Sequence, residues 1–243
     1  MSSVRVEKGR GGTGAPSRVG ALRWALLAAL GIGGVAILLS LGVWQVQRLA
    51  WKRAVLADID ARIAAASVTI PAAPDPQADR YLPVAAEGTT TGQEIDVLIS
   101  TAQLGAGYRV VVPFETGGRR ILLDLGFVPT EEKDPPRPAQ RLTATGNLHW
   151  PDETDRFTPA PDRAENIWFA RDVAAMADAL GTEPILLVAR RTDPPVPGTV
   201  PLPVTSANIP NDHLGYAITW FSLAAIWAGM TALLGWRMAS RRG

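Results

Sequence analysis

Two long stretches without a charged residue constrain this chain more than any other feature. Residues 24–44 (WALLAALGIGGVAILLSLGVW) and 214–236 (LGYAITWFSLAAIWAGMTALLGW) contain 21 and 23 residues, and neither contains proline. A helix of about 20 apolar residues crosses the hydrocarbon core of a bilayer. The pattern therefore predicts two transmembrane helices, one near each end of the chain.

The segment between these stretches has the composition of a water-soluble domain. It contains 19 of the 20 prolines. A spacing of apolar residues over 49–66 predicts that a helix continues, or begins again, after the first span. Residues 170–180, followed by Gly181, predict a short helix. Short apolar runs between Gly and Pro signals predict strands at 81–90, 95–100, 108–114, 120–128, 141–149 and 184–189.

Charge indicates which side of the membrane each part occupies. Residues 1–23 and 237–243 carry net charges of +4 and +3, so the rest must carry −6 for the chain to sum to +1. Lys and Arg next to a span favour the cytoplasmic side. We expect 1–23 and 237–243 to be cytoplasmic tails, 24–44 and 214–236 to cross the inner membrane, and 45–213 to be periplasmic.

The predicted fold class is an integral membrane protein with two transmembrane α-helices flanking a β-rich α+β extracytoplasmic domain. The first apolar stretch is predicted to remain as an anchor and not to be cleaved as a signal peptide. Bulky Trp and Gln residues follow it at the place where a signal peptidase requires small ones.

Cysteine and histidine counts exclude several kinds of site. The chain has no cysteine and only two histidines, His149 and His213. Thiolate metal sites, thiol nucleophiles and sites with several histidines from one chain are therefore excluded. Neither histidine is accompanied by a GxSxG nucleophile motif, and the acidic central segment offers no basic face to nucleic acid. The sequence predicts that the protein is not an enzyme and binds no nucleic acid.

His213 lies one residue before the second span, at the predicted outer interface of the membrane. On a helix, Tyr216 and Trp220 follow at i+3 and i+7, so the three side chains form one aromatic stripe. Two interpretations of this stripe are possible. In the first, which periodicity alone favours, it is a belt of aromatic residues at the membrane interface. In the other, His213 binds the iron of a heme lying against the rings, because neutral imidazole is a common protein ligand of such iron.

The first span carries Trp44 and Arg48 at the corresponding level, four residues apart on one helix face. They are either interfacial anchors, or they form part of a heme site in which Arg48 or Lys52 neutralises the propionates while Trp44 packs against the ring. Met230 lies 17 residues beyond His213, roughly 25 Å along a helix, so both cannot bind one iron. A site with one protein ligand, or a shared site, is predicted.

Four segments of the chain resemble, in order, segments of the surfeit locus protein 1 family. The most specific are the first and the last, which follow one span and open the other. Two of these segments depart from the family pattern. LLDLGFVP (122–129) stands where LVNRGWVP is common, with Asp124 in place of Asn, Leu125 of Arg and Phe127 of Trp, and NDHL, with Asp212, stands where NNHL is usual. The segments are GVWQVQRLAWK (42–52), GYRVVVPFETGGRRILLDLGFVP (107–129), NIWFARDVAAMADALG (166–181) and NDHLGYAITWFSLA (211–224).

The resemblance implies an assembly factor for heme-copper cytochrome c oxidase that binds heme a or delivers it to the catalytic core subunit during maturation. By this resemblance His213 is the heme ligand, and Tyr216, Trp220, Trp44 and Arg48 line the site. The core subunit is the expected partner, with heme a synthase a further candidate and the lipid bilayer as surroundings. The alternative is a membrane scaffold that stabilises an oxidase assembly intermediate without binding heme.

Overall fold

Long helices stand at both ends of the structure, which is a computed structural model that describes residues 18–134, 136–207 and 209–240. They are α1 (Arg18–Ala64) and α3 (His213–Ser240). The chain divides into two units, which we call the helical unit (1–53 and 210–243) and the β domain (54–209). Of the predicted tails, residues 1–17 and 241–243 lie outside the described residues, and 18–23 form the start of α1.

Both long helices have the composition of membrane spans. α1 contains 47 residues and α3 contains 28. Only 11% of the most apolar window of each helix is buried, so most of its large apolar side chains are exposed. Such extended apolar surfaces mark contact with a membrane or with another protein. Two apolar helices flanking a β-rich domain are thus confirmed, as is the helical continuation after the first apolar stretch, since α1 runs without a break to Ala64.

In the helical unit, α1 and α3 pack against each other in opposite directions. Three glycines of α1 allow this contact, because a Cβ at any of them would lie within 3 Å of an α3 side chain. A Cβ at Gly33 or Gly229 would meet nothing within 4 Å. These two glycines therefore lie outside this contact. The contacting pairs are Gly31 with Thr231, Gly34 with Trp227 and Gly42 with Phe221.

The β domain is built on one barrel-like sheet. Its described residues form seven strands in the order β1-β5-β7-β4-β3-β2-β6. β1 also pairs with β3, so that β1, β5, β7, β4 and β3 close into a ring from which β2 and β6 extend. The strands are β1 (Pro83–Thr90), β2 (Ile95–Thr101), β3 (Gly105–Thr116), β4 (Arg119–Pro129), β5 (Arg141–Leu148), β6 (Ile167–Trp168) and β7 (Leu186–Asp193).

Two apolar cores stabilise this sheet, one on each face of β3 and β4. Successive side chains of a strand point to opposite faces, so Val110 and Val112 of β3 enter one core while Val111 enters the other. The second core is covered by α2 (Val173–Leu180), which begins at Asp172 as N-cap and ends at Gly181 with φ of 63°. Burial on both faces explains why these strands read as continuous apolar runs.

The six predicted strands and the short helix are present, and β6 is an addition. β6 has only two residues, too few to show an alternating pattern. It pairs in parallel with β2 at Asp96 and Val97. A short 3-10 helix (Thr130–Glu132) follows β4.

Candidate functional site

His213 is the first residue of α3, and its half-buried side chain lies against α1. Its Nδ1 is 2.8 Å from Oε1 of Gln45. An amide oxygen only accepts, so the Nδ1–H donates, and in the neutral form of the ring Nε2 then carries a free lone pair. Nε2 has no hydrogen-bond partner among the described residues. Histidines that bind a metal commonly have this arrangement, in which a carbonyl oxygen fixes one ring nitrogen and leaves the other to the metal.

Gln45 was not predicted to have a role, and it is the residue that fixes the imidazole. Its side chain is buried, with 8% of the residue exposed. A buried amide needs hydrogen-bond partners, and His213 supplies one. A signal was available in the sequence, because Gln45 follows Gly31, Gly34 and Gly42 by 14, 11 and 3 residues, and these spacings place all four on one face of a helix.

The departure at Asp212 does not alter this bond. The Asp212 side chain is exposed, and within the described part of the chain its carboxylate makes no hydrogen bond or ion pair. Its main-chain carbonyl accepts from the N–H of Tyr216 in the first turn of α3. The group beside the His213 Nδ1 is therefore the Gln45 amide and not this carboxylate.

Trp220 lies on the same face of α3 as His213, two helical turns further on. Ala217 and Ala224 of this face are buried. The indole Nε1 of Trp220 is also buried and has no acceptor among the residues that the structure describes. Tyr216 lies on the flank and is 57% exposed. The predicted stripe thus has two half-buried members and one exposed member.

Trp44 and Arg48 lie on the outer flank of α1. Trp44 is 53% exposed, and the guanidinium of Arg48 stacks 4.1 Å above the ring of Trp51. In the described residues, no hydrogen bond, ring stacking or cation–π contact joins Trp44 or Arg48 to His213. The structure therefore bonds Gln45 to His213, whereas neither of these two predicted residues bonds to or stacks on the imidazole.

Helical geometry nevertheless places these residues on one side of the helix pair. A helix turns by about 100° per residue. Viewed from the C-terminal end of α1, Trp44 and Arg48 therefore both lie clockwise of Gln45. In the same view, Tyr216 lies anticlockwise of His213, because α3 runs in the opposite direction. When two helices pack against each other, the clockwise flank of one and the anticlockwise flank of the other lie on the same side of the pair. Arg48, Trp44 and Tyr216 thus border one face of the pair, beside the imidazole.

The second histidine, His149, follows β5 in the β domain. Its ring stacks on Tyr81 with centroids 5.4 Å apart, and its Nδ1 is buried without a partner in the described parts of the chain. Burial, followed by the charges of Arg171 and Arg80, lowers the pKa of His149 from 6.5 to about 4. This histidine is therefore neutral at pH 7.

Because an unfolded chain binds this proton near pH 6.5, His149 should make the β domain acid-sensitive. Its stabilising contribution is complete above pH 6.5 and is lost as the pH falls toward 4. Asp96 acts in the opposite sense, since burial and the Glu94 carboxylate raise its pKa to about 6. The test is the free energy of unfolding in urea at pH 7.5 and 4.5, measured for His149→Gln and for the unchanged protein. The unchanged protein should lose about 2 kcal/mol more on acidification; identical pH dependence would contradict this assignment.

Comparison with known proteins gives a consistent result. A model of the SURF1 family matches residues 33–225, a range that includes Gln45 and His213. Surfeit locus protein 1 of Xenopus tropicalis is 31% identical over 214 residues, 76% of this chain and 68% of the relative. The corresponding human protein is 30% identical, over 76% of this chain and 69% of its own. The SURF1-like protein of Monosiga brevicollis is 32% identical, over 94% and 93% of the two chains. This chain belongs to the SURF1 family.

Proposed function

We propose that this protein is a membrane-anchored assembly factor for heme-copper cytochrome c oxidase, which holds heme a at the helical unit and transfers it to the catalytic core subunit. Family membership supports a role in oxidase assembly. The observation that carries the heme assignment is the hydrogen bond from His213 to Gln45. In the neutral form of the ring, this bond leaves the Nε2 lone pair to a ligand, on an imidazole whose orientation is fixed.

The surroundings of His213 suit a porphyrin better than a bare metal ion. Across residues 18–134, 136–207 and 209–240, no group of three His, Cys, Asp or Glu side chains could hold a metal ion. A porphyrin supplies four iron ligands itself and needs only axial ones from protein. Trp220 and the exposed Tyr216 and Trp44 offer aromatic surface, and Arg48 offers a cation for a propionate. Bound heme would supply the redox-active iron, while the protein supplies ligand, surface and charge.

The proposed topology follows from the charges. α1 and α3 cross the inner membrane, both termini are cytoplasmic, and the β domain lies in the periplasm, where it docks on the core subunit. In this function no covalent bond is made or broken, so the protein acts as a chaperone of heme and not as an enzyme. Heme a synthase is the proposed donor.

Gln45→Leu tests the hydrogen bond that carries the proposal. Without the amide oxygen, the imidazole loses its fixed tautomer and orientation, and heme a affinity should fall about 10- to 100-fold. Gln45→Glu keeps an acceptor oxygen and should retain affinity. Gln47→Leu is the matched control, because Gln47 is exposed on another face of α1. Affinity is measured from visible spectra as detergent-solubilised protein is titrated with heme a. Wild-type affinity in Gln45→Leu would refute the role of Gln45.

A visible spectrum of the protein purified from cells that make heme a separates this proposal from the scaffold alternative. The proposal predicts a pigment with heme a absorption. A heme-independent scaffold predicts a colourless protein that still co-purifies with the oxidase core subunit. The second result would overturn the heme part of the proposal and leave the assembly role standing.

A further inference from the structure

A cavity of about 250 Å³ lies within the β domain, next to the end of β5. Its apolar wall is formed by Val188 of β7 and by residues 202–204 of the segment that follows. Its polar lining consists of Tyr81, Arg109, His149, Glu153, Arg171 and Thr205. None of these residues belongs to the proposed heme site.

One buried carboxylate, that of Asp124, binds two arginines of this lining and fixes their positions. Oδ2 of Asp124 accepts from Arg109 Nε at 2.8 Å and from Arg171 Nη1 at 3.2 Å. Asp124 is fully buried, and its Oδ1 accepts from the N–H of Gly126. Arg109 also donates to the Leu202 carbonyl, and Arg171 to the carboxylate of Glu153. These bonds fix both guanidinium groups before any ligand arrives.

Hydrogen-bond donors remain free in this arrangement. A guanidinium has five N–H groups, and the partners of Arg109 occupy only Nε and Nη2. Nη1 of Arg109 has no partner among the described residues and is not enclosed by protein. Because Arg109 lines the cavity, this nitrogen is available to a ligand there. The Nδ1 of His149 is also buried and has no hydrogen-bond partner among the described residues.

The charges around the cavity leave a positive excess. Of the charged residues that line the cavity, Arg109 and Arg171 are positive and Glu153 is negative, while His149 is neutral at pH 7. Asp124 lies behind the two arginines, and Arg80 lies over the Tyr81 ring outside the lining. Burial is the largest cause of the low pKa of His149; among the neighbouring charges, Arg171, Arg80 and Arg109 lower this pKa further and Glu153 raises it. A positive, partly enclosed cavity concentrates anions.

We propose that this cavity binds a small oxyanion, a carboxylate or phosphate group, between Arg109, Arg171 and His149. The planar guanidinium fork matches the geometry of such a group. At about 250 Å³ the cavity is smaller than the pockets of roughly 300–1,000 Å³ that hold drug-sized ligands. It therefore takes a small anion, or the acidic end of a larger molecule. This function is separate from heme binding.

Histidine resonances provide a direct test in the full-length protein. With only two histidines in the chain, ¹⁵N-histidine labelling gives one ring signal set each for His149 and His213. Inorganic phosphate, acetate and chloride are titrated separately at constant ionic strength. Phosphate or acetate should shift the His149 signals saturably and raise its pKa, whereas chloride should not, and His213 should not respond. The stronger of the two oxyanions identifies the ligand class. No saturable shift with either, or equal shifts with chloride, would overturn the proposal.

Three variants locate the site. Arg109→Met should weaken the His149 response at least tenfold, whereas Arg141→Met, which removes an exposed arginine elsewhere on the sheet, should not change it. Because Arg109 also partners Asp124, Thr205→Glu provides a second variant at an exposed position. Its carboxylate should occupy the cavity, raise the pKa of His149 and abolish the response to phosphate. An unchanged response in Thr205→Glu or in a folded Arg109→Met would refute the assignment.

Discussion

His213→Ala should abolish heme a retention while the two helices stay paired and the β domain stays folded. The chain has no cysteine and one other histidine. That histidine, His149, belongs to the β domain and is stacked on Tyr81. The contact of α1 with α3 rests on three glycines and the side chains that meet them, so the variant leaves it in place. The heme content per protein should fall at least about 100-fold, which exceeds the loss expected when only the hydrogen-bond partner of the ligand, Gln45, is removed.

The measurement is the heme content of protein purified from cells that make heme a. His149→Gln serves as the matched control and should keep full heme content. Equal heme content in His213→Ala and the unchanged protein would end the assignment of His213 as ligand. Co-purification of the core subunit with heme-free His213→Ala would show that docking and heme binding are separate properties.

Asp124→Ala should have the largest effect on stability. The carboxylate is fully buried and bonded to Arg109, Arg171 and the Gly126 N–H. Its removal leaves Arg109 without its ion-pair partner and Arg171 with Glu153 alone. Breaking a buried pair on one side costs about 3–5 kcal/mol, since the remaining charge stays desolvated. We expect the free energy of unfolding of the β domain to fall by that amount.

Urea unfolding of the full-length protein in detergent, followed by near-ultraviolet circular dichroism, measures this change. Asp124→Asn keeps the shape of the side chain but not its charge and should lose less stability. Asp178→Ala is the control, because Asp178 is an exposed residue of α2, and it should change stability by no more than about 0.5 kcal/mol. A loss below about 1 kcal/mol in Asp124→Ala would contradict the role of the buried network.

Most elements of this fold were predictable, but the two-residue strand β6 and the closure of the sheet were not. Continuous apolar runs and turn residues fixed the strands and both long helices, since these signals are local in sequence. Closure depends on two residue pairs between β1 and β3, Thr89 with Glu115 and Thr90 with Phe114. These partners lie more than 20 residues apart, and nothing in the alternation of either strand indicates which neighbour its end will meet.

The candidate site was predictable in part for a similar reason. His213, Tyr216 and Trp220 share one helix, so their relation follows from helical spacing alone. Gln45 reaches His213 only because one face of α1 contacts α3, which is set by packing between two helices. Asp124 illustrates the same point, since its sequence neighbours do not indicate that Arg109 and Arg171 would meet it.

Coordination of heme iron by His213 is tested most directly by the hyperfine coupling between ferric heme a and histidine nitrogen. Full-length His149→Gln protein labelled with ¹⁵N only in histidine contains a single labelled imidazole, at position 213. Pulsed electron paramagnetic resonance of the heme-loaded protein should show the strong coupling of a directly bound ¹⁵N nucleus. Heme that is fully bound, yet shows no coupling to labelled histidine, would contradict the account.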